Sequence, residues 1–514
     1  MATAHEKLAK SLTELKVLQD KGRTAIRTDD LSRTNRDRLV EAGYLQPVMR
    51  GWFIPSRPGD LPGDTTAWYA AYWSFCREYL SARFGKNWCL SPQQSLRLHA
   101  GDKSAPMQLL VRADGASNRS VELLHGSTLY DVNANLPDKE DRTEVDGLNV
   151  YMIDAALVQV PEAFYQSNPI EATTCLGAVR DASGVLRLLL KGGLVVRAGR
   201  LAGAFRRIGR GDLADQIVST MKAGGQVVQE SDPFNPADRI PHPLRQVSPQ
   251  VNRIRLLWEK MRGQIPDVFP KAVPLNDADA YIAAMEAVID QDAYHSLSIE
   301  GYQVSEELIT KIREGKWDPE AIEADKSQRD AMAARGYLDA FEQVKTSVRN
   351  VLEGEAAGAV ASRDLQGWYQ ALFGPSVKAG LTRAEFLAGY RSHVVHIRGS
   401  RHSPPSPEAV RDAMPAFYDM LSAEDDPVAR IVLGHFIFVY IHPFPDGNGR
   451  TARFLMNLMC AAAGYPWLII KVGQRAAYMA ALERASVDQN IEPFARFLGD
   501  SLTEQMQEHH GLKN

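Results

Sequence analysis

From Val428 to Ile441 the chain reads VARIVLGHFIFVYI, apolar on nearly every side. A helix of that composition belongs at the buried centre of a domain. Asp425 or Asp426 is available as its N-cap, and Pro427 suits the first turn. The loop IHPFPDGNGRTAR, Ile441 to Arg453, follows at once. After it, RTARFLMNLMCAAAGYP resumes helical spacing with Phe454, Leu455, Leu458, Met459 and Ala462 on one face, and Gly464 before Pro466 stops it. The C-terminal half is therefore expected to be mainly α-helical, with this loop between a buried helix and one packed beside it. His435, inside the apolar helix, is expected to be a hydrogen-bonded core histidine.

At 514 residues the chain exceeds what one hydrophobic core usually holds, so two or three domains are expected. Prolines at 233, 236, 241, 243 and 249 forbid a continuous helix or central strand through VVQESDPFNPADRIPHPLRQVSPQVNR. Residues 229–249 read as a Pro-rich linker, dividing an N-terminal half from a C-terminal domain over 250–514. The net charge of -4 predicts no polyanionic partner for the chain as a whole. Cys76, Cys89, Cys175 and Cys460 are widely spaced, which argues against a zinc ribbon and a disulfide framework. No run of about 18 apolar residues and no signal-peptide core is visible, so no membrane span is expected and a cytoplasmic setting fits.

Residues 1–58 form a distinct unit. HEKLAKSLTELKVLQDKG has helical periodicity ending at Gly22, a second helix runs from about Ser32 to Ala42 with Gly43 as its stop, and LQPVMRGWFIP reads as two strands turning at Arg50-Gly51. Helices followed by a hairpin suggest a winged helix-turn-helix. The segment carries 11 Lys and Arg against 7 Asp and Glu. Arg33, Arg36 and Arg38 on the second helix suit phosphate or base-edge contacts, which makes DNA a candidate partner; protein docking is the alternative. Residues 64–228 mix a helical stretch, TTAWYAAYWSFCREYLSARFG, with the β-like runs MQLLVRA, SVELLHG and LNVYMID and a helical tail. An α+β domain is expected there, with no phosphate loop or paired carboxylates to make it catalytic.

The loop from Ile441 holds more chemistry than a turn needs. It lies at a helix N-terminus, where unpaired amides and the helix dipole favour an anion, and Gly447 and Gly449 let the backbone curl around a phosphate. Arg450 and Arg453, at i and i+3, can hold further phosphate oxygens. Asp446 would repel phosphate unless a cation lay between, and magnesium is the expected mediator. His442 supplies a group that accepts a proton near neutral pH. Singly, each residue has a bland reading as turn, cap or solvated charge; jointly, flanked by helices and not strands, they read as a phosphate cradle.

HPFPDGNGRTAR matches in full the pattern H-x-F-x-[DE]-G-N-G-R-x-x-R, so the C-terminal half resembles the Fic (filamentation induced by cAMP) family, whose members mostly transfer AMP from ATP to a protein hydroxyl. SLSIEG, Ser296 to Gly301, resembles that family's inhibitory-helix pattern [ST]-x-x-x-E-[GN], and VVHIRGSRHSPPSPEAVRDAMPAFYDML resembles its target-binding flap and the helix after it. The resemblance spans about residues 250–505. It implies His442 as general base, Asp446 as magnesium ligand, Gly447, Asn448 and Gly449 as the anion hole, Arg450 on the leaving pyrophosphate and Arg453 on the γ-phosphate of ATP. It makes Ser296, Glu300 and Gly301 an autoinhibitory element, with Glu300 engaging Arg453. The partners implied are ATP and a target protein bearing a Ser, Thr or Tyr hydroxyl. WCLSPQQSLRLHAG, after the head, is similar to the abortive-infection type of bacterial antitoxin proteins. Three readings follow: AMP transfer held in check by Glu300, removal of AMP from a protein, and a DNA-binding antitoxin-like regulator whose Fic half only senses nucleotide.

Overall fold

The computed structural model describes residues 3–59, 63–236, 243, 247–272, 277–316 and 325–511. It divides into two compact units, Met1–Arg253 with His396–Ser403, and Ile254–Val395 with Pro404–Asn514. The chain is mostly helical.

The first unit begins with helix α1 (Ala4–Asp20), where Thr3 and Glu6 satisfy each other's main-chain amides in a capping box. Strand β1 (Ile26–Arg27), helix α2 (Arg33–Glu41, capped by Ser32), β2 (Leu45–Met49) and β3 (Trp52–Pro55) follow. Strand β3 pairs antiparallel with both others, giving the order β1-β3-β2. Leu15, Ile26, Leu31, Leu39 and Leu45 close a small core between these helices and the sheet.

Helix α3 (Thr66–Phe84) buries Trp68, Tyr72, Phe75 and Tyr79 against the next sheet. That sheet, built from β4 (Trp88–Leu90), β5 (Gln108–Ala113), β6 (Ser120–Glu122) and β7 (Thr128–Asn133), has the order β4-β5-β7-β6, with helix α4 (Pro92–His99) between its first two strands in sequence. Only β5 and β7 run parallel. Strands β8 (Arg142–Val145) and β9 (Leu148–Tyr151) form a ribbon, and helices α5 (Ile153–Gln159), α6 (Glu162–Ser167), α7 (Pro169–Ala178), α8 (Ser183–Gly192), α9 (Val195–Arg207) and α10 (Gly211–Ala223) follow it. The expected strand over SVELLHG stops at Glu122, because His125 takes a positive φ of 51° and turns the chain.

The Pro-rich stretch differs from a free linker. Residues 237–242 and 244–246, Pro241 among them, lie outside the described residues, but Phe234 before them is buried, 5.5 Å edge-on from Tyr165. The preceding strap lies directly on α9. A Cβ at Gly199 would stand 2.0 Å from the Gln229 carbonyl oxygen, and one at Gly203 would stand 2.1 Å from that of Ser231. The units divide later than expected, between Arg253 and Ile254 inside helix α11 (Pro249–Arg262). Arg253 is held in the first unit by the buried Glu171, 2.7 Å away.

Among the described residues the second unit contains helices and no strand: the rest of α11, then α12 (Ala278–Ile299), α13 (Glu306–Arg313), α14 (Asp325–Leu352), α15 (Ala357–Lys378), α16 (Pro407–Ala423), α17 (Pro427–Ile441), α18 (Asn448–Ala463), α19 (Arg475–Asp488) and α20 (Glu492–Gly511). The Asp426 carboxylate caps α17 by accepting from the Val428 and Ala429 amides. Helix α17 is buried from Ile431 to Phe438 and packs along α18, with α14 and α15 across α18. His435 in α17 is buried as expected, between the Ala452 carbonyl at 3.0 Å and the Tyr478 hydroxyl at 2.7 Å. No helix among the described residues is long and apolar enough to cross a membrane.

Candidate active site

Helix α17 ends because His442 takes the left-handed conformation, φ 52°, as its C-cap. Its ring Nδ1 lies 3.3 Å from the Val439 carbonyl oxygen and so carries the proton, which leaves the Nε2 lone pair free. Burial pulls the imidazole pKa down to about 4, so the ring is neutral at physiological pH.

The turn after it is held from inside. Phe444 is buried and stacks on Tyr369 at 3.9 Å. The Asn448 side chain bonds both main-chain groups of Phe444: its Oδ1 accepts from the amide and its Nδ2 donates to the carbonyl, each at 2.9 Å. The Asn448 side-chain oxygen and one of its two amide hydrogens are thereby committed to the loop. Gly447, at φ 75°, starts α18, whose first amides have no partner within the helix. Asp446 is exposed, with one carboxylate oxygen accepting from the Gly447 amide at 2.6 Å.

Both arginines are buried, and each keeps a donor that makes no hydrogen bond among the described residues, Nε of Arg450 and Nη1 of Arg453. Buried donors are rarely left unmade, so both are open to an acceptor from beyond the described residues. Arg450 is held between the rings of Tyr302 and Phe373, each 5.1 Å from its guanidinium carbon. Neither ring was anticipated from sequence. Arg453 donates through Nε to Ser296 Oγ and through Nη2 to the Ser296 carbonyl and to Glu300 Oε1, all at 2.9 Å.

Helix α12 thus reaches the loop at its C-terminal turn. Glu300 is its C-cap and Gly301, at φ 89°, turns the chain away. The Glu300 carboxylate stands over the start of α18, where a Cβ on Gly449 would be 2.2 Å from Oε1. It sits at the negative end of its own helix and the positive end of the next, and the second placement, with Arg453, offsets the first. Ser296, Glu300, Gly301, Arg453 and the cradle residues are therefore brought together.

The arginines of α2 and the segment after Val394 were also singled out in the sequence. Of the three arginines on α2, only Arg33 projects into solvent, 88% exposed. Arg36 lies over the Phe53 ring and donates to the Thr28 carbonyl, and Arg38 ties α2 to α1 through Ser11 Oγ at 2.8 Å and the Lys7 carbonyl at 3.0 Å. Each serves the packing of the small core beneath it. The segment Val394–Ser403, part of the stretch that resembles a target-binding flap, contains no strand. Residues 396–403 group with the first unit, where the Gly399 amide donates to Thr66 Oγ1 at 3.0 Å and the Ala105 amide to the Arg401 carbonyl at 3.0 Å.

Comparison with known proteins agrees on the C-terminal half. Residues 360–460 match the Fic/DOC family. The chain is 44% identical over 113 residues to a protein named protein adenylyltransferase Fic from Nematostella vectensis, covering 21% of this chain and 26% of that one. Proteins of the same name are 31% identical over 218 residues in Drosophila willistoni, covering 41% of this chain and 39% of that one, and 32% identical over 232 residues in Culex quinquefasciatus, covering 44% and 42%. The chain spans less than half the length of these relatives. They are animal proteins, whereas the likeness of the N-terminal half pointed to bacterial ones.

Proposed function

Because its C-terminal half carries a Fic domain, we propose that this protein transfers AMP from ATP to a hydroxyl side chain of a target protein and of itself, and that Glu300 restrains the reaction. The observation that carries the reading is the combination of a neutral His442 ring with Nε2 free and two buried arginines with unmade donors around the first amides of α18.

The His442 Nε2 takes the proton of a Ser, Thr or Tyr hydroxyl as its oxygen attacks the α-phosphorus of ATP. The bond from that phosphorus to the bridging oxygen breaks, pyrophosphate leaves with the electron pair, and AMP remains esterified to the target. The amides of Asn448 and Gly449, joined by that of Gly447 once it releases Asp446 Oδ1, hold the α- and β-phosphate oxygens, aligned by the Asn448 clamp on Phe444. Arg450 neutralises charge on the departing pyrophosphate, and Arg453 holds the γ-phosphate. A single exposed carboxylate beside phosphate oxygens fits magnesium, which takes few protein ligands. Asp446 would hold that ion, which supplies positive charge to the phosphates.

Glu300 competes with the γ-phosphate for Arg453, and ATP reaches a productive pose only when the carboxylate leaves. In the first unit, we read residues 1–58 as a winged helix-turn-helix, with Arg33, the most exposed of Arg33, Arg36 and Arg38, best placed to meet DNA. The test is incubation of the purified protein, its Glu300→Gly variant and the Glu300→Gly/His442→Ala double variant with α-labelled ATP and magnesium. Label should accumulate on the Glu300→Gly protein and be lost with His442. No label on any protein from Glu300→Gly would overturn the reading.

A further inference from the structure

Arg391 lies outside the loop that carries the chemistry, yet it is buried, 1% exposed. Its guanidinium makes no ion pair within 4 Å among the described residues; its donors go to three main-chain carbonyls. Nε donates to the His442 carbonyl at 2.8 Å, Nη1 to that of His393 at 3.1 Å, and Nη2 to that of Pro405. Its own amide donates to the Pro443 carbonyl at 2.9 Å. Burying a guanidinium without a carboxylate in contact is costly, and burial lowers its pKa to about 10, with Glu408 the acidic group whose field opposes the shift.

The three carbonyls are not equivalent. Two lie at the ends of one excursion of the chain, His393 where it leaves and Pro405 where it returns, with the 396–403 segment between them. The third belongs to the residue whose side chain is the proposed base, and whose left-handed conformation is one that non-glycine residues seldom adopt. A planar fork with fixed donor directions sets the separation of all three at once. A single flexible ammonium cannot.

We propose that Arg391 is a positioning residue for AMP transfer: it holds both stems of the 393–405 excursion in fixed register with the His442 backbone, so that a hydroxyl presented along the stems meets Nε2 at reacting distance. The inference rests on the AMP-transfer reading of the loop. Arg391 touches no reacting atom, and the nucleotide cradle from Gly447 to Arg453 lies outside its contacts. Its loss should therefore lower the rate of transfer and leave the ATP dependence unchanged.

The test compares Arg391→Met and Arg391→Lys in the Glu300→Gly background, reading single-turnover self-labelling against ATP concentration and hydrogen exchange of peptides covering 392–405 and 439–446. Both variants should label at least about tenfold more slowly, with half-saturating ATP unchanged within about twofold, and both peptides should exchange faster together. Full labelling rate in the methionine variant, or restoration by lysine, would overturn the inference, the latter by showing that charge alone suffices. So would a matching loss of ATP affinity, or faster exchange confined to one peptide. Exchange is read without turnover, so it decides the register claim even if the Glu300→Gly parent fails to label, a result that would count against AMP transfer itself. Should one substitution fail to fold, the other carries every measurement.

Discussion

Replacing Glu300 by glycine removes one carboxylate from a buried arginine, and the structure sets the size of the effect. Glu300 Oε1 accepts from Arg453 Nη2 at 2.9 Å, with side-chain exposures of 27% and 4%. A hydrogen bond between charged groups contributes about 1.5–3 kcal/mol net, which corresponds to roughly 10- to 150-fold in the fraction of ATP bound productively. Partial exposure of Glu300 screens the pair and favours the lower part of that range. Glu300→Gly should therefore raise self-labelling by at least about tenfold at saturating ATP and magnesium. Adding Arg453→Ala should cancel most of the gain, because the group set free is the one deleted. The assay is the initial rate of α-labelled AMP incorporation, with thermal melts confirming that each variant is folded. Equal rates for Glu300→Gly and the parent would refute the reasoning, since the carboxylate would then be displaced at no cost.

His442→Ala should abolish transfer in the Glu300→Gly background while ATP binding, measured by titration calorimetry, stays within a few-fold. With the His442 pKa lowered to about 4, the base is in its competent neutral form above that pH, so the transfer rate should be flat from about pH 5.5 to 8 and fall below it; an acid limb near pH 6.5 would mean a solvated ring. Asn448→Ala should cost about 2 kcal/mol or more in urea unfolding, because two main-chain groups of Phe444 lose their partner, and a neutral result would assign the loop's order elsewhere. In the head, Arg38→Ala should destabilise α1 against α2 and Arg33→Ala should not; if the head binds DNA, only Arg33→Ala should weaken retention at low salt without lowering the melting temperature.

What was legible in the sequence was what is local in the chain. The end of α17, the glycine turn and the start of α18 depend on residues within a few positions of one another, and period and capping rules read them directly. In the head, the second helix was placed from about Ser32 to Ala42 and spans Arg33–Glu41, with Ser32 as a cap that the spacing did not single out, and the strands turn at Arg50-Gly51. The pairing of Glu300 with Arg453, 153 residues apart, came only through a family pattern. Nothing in local spacing pointed to Tyr302 and Phe373 around Arg450, because aromatic rings on an arginine leave no motif. Helical periodicity put Arg36 and Arg38 on α2 but could not say which element would lie beside them. Prolines correctly excluded a helix over 229–236 and said nothing about burial, which two glycines of α9 and Phe234 decide.

The left-handed backbone of His442 raises a question of economy, since glycine would adopt φ 52° freely and end α17 as well. A non-glycine residue held in such a conformation costs about 1–3 kcal/mol and persists only where its surroundings over-determine it. They do so here from three directions: the His442 amide donates to Phe438, Arg391 takes its carbonyl, and Asn448 clamps the main chain two residues on. None of these bonds uses the imidazole beyond fixing Nδ1 on Val439. The supports therefore hold the ring's position and tautomer and leave Nε2 unspent, as a base that must collect a proton from an incoming hydroxyl requires. Structure alone would favour glycine at this position; the chemistry proposed for the loop is what favours histidine.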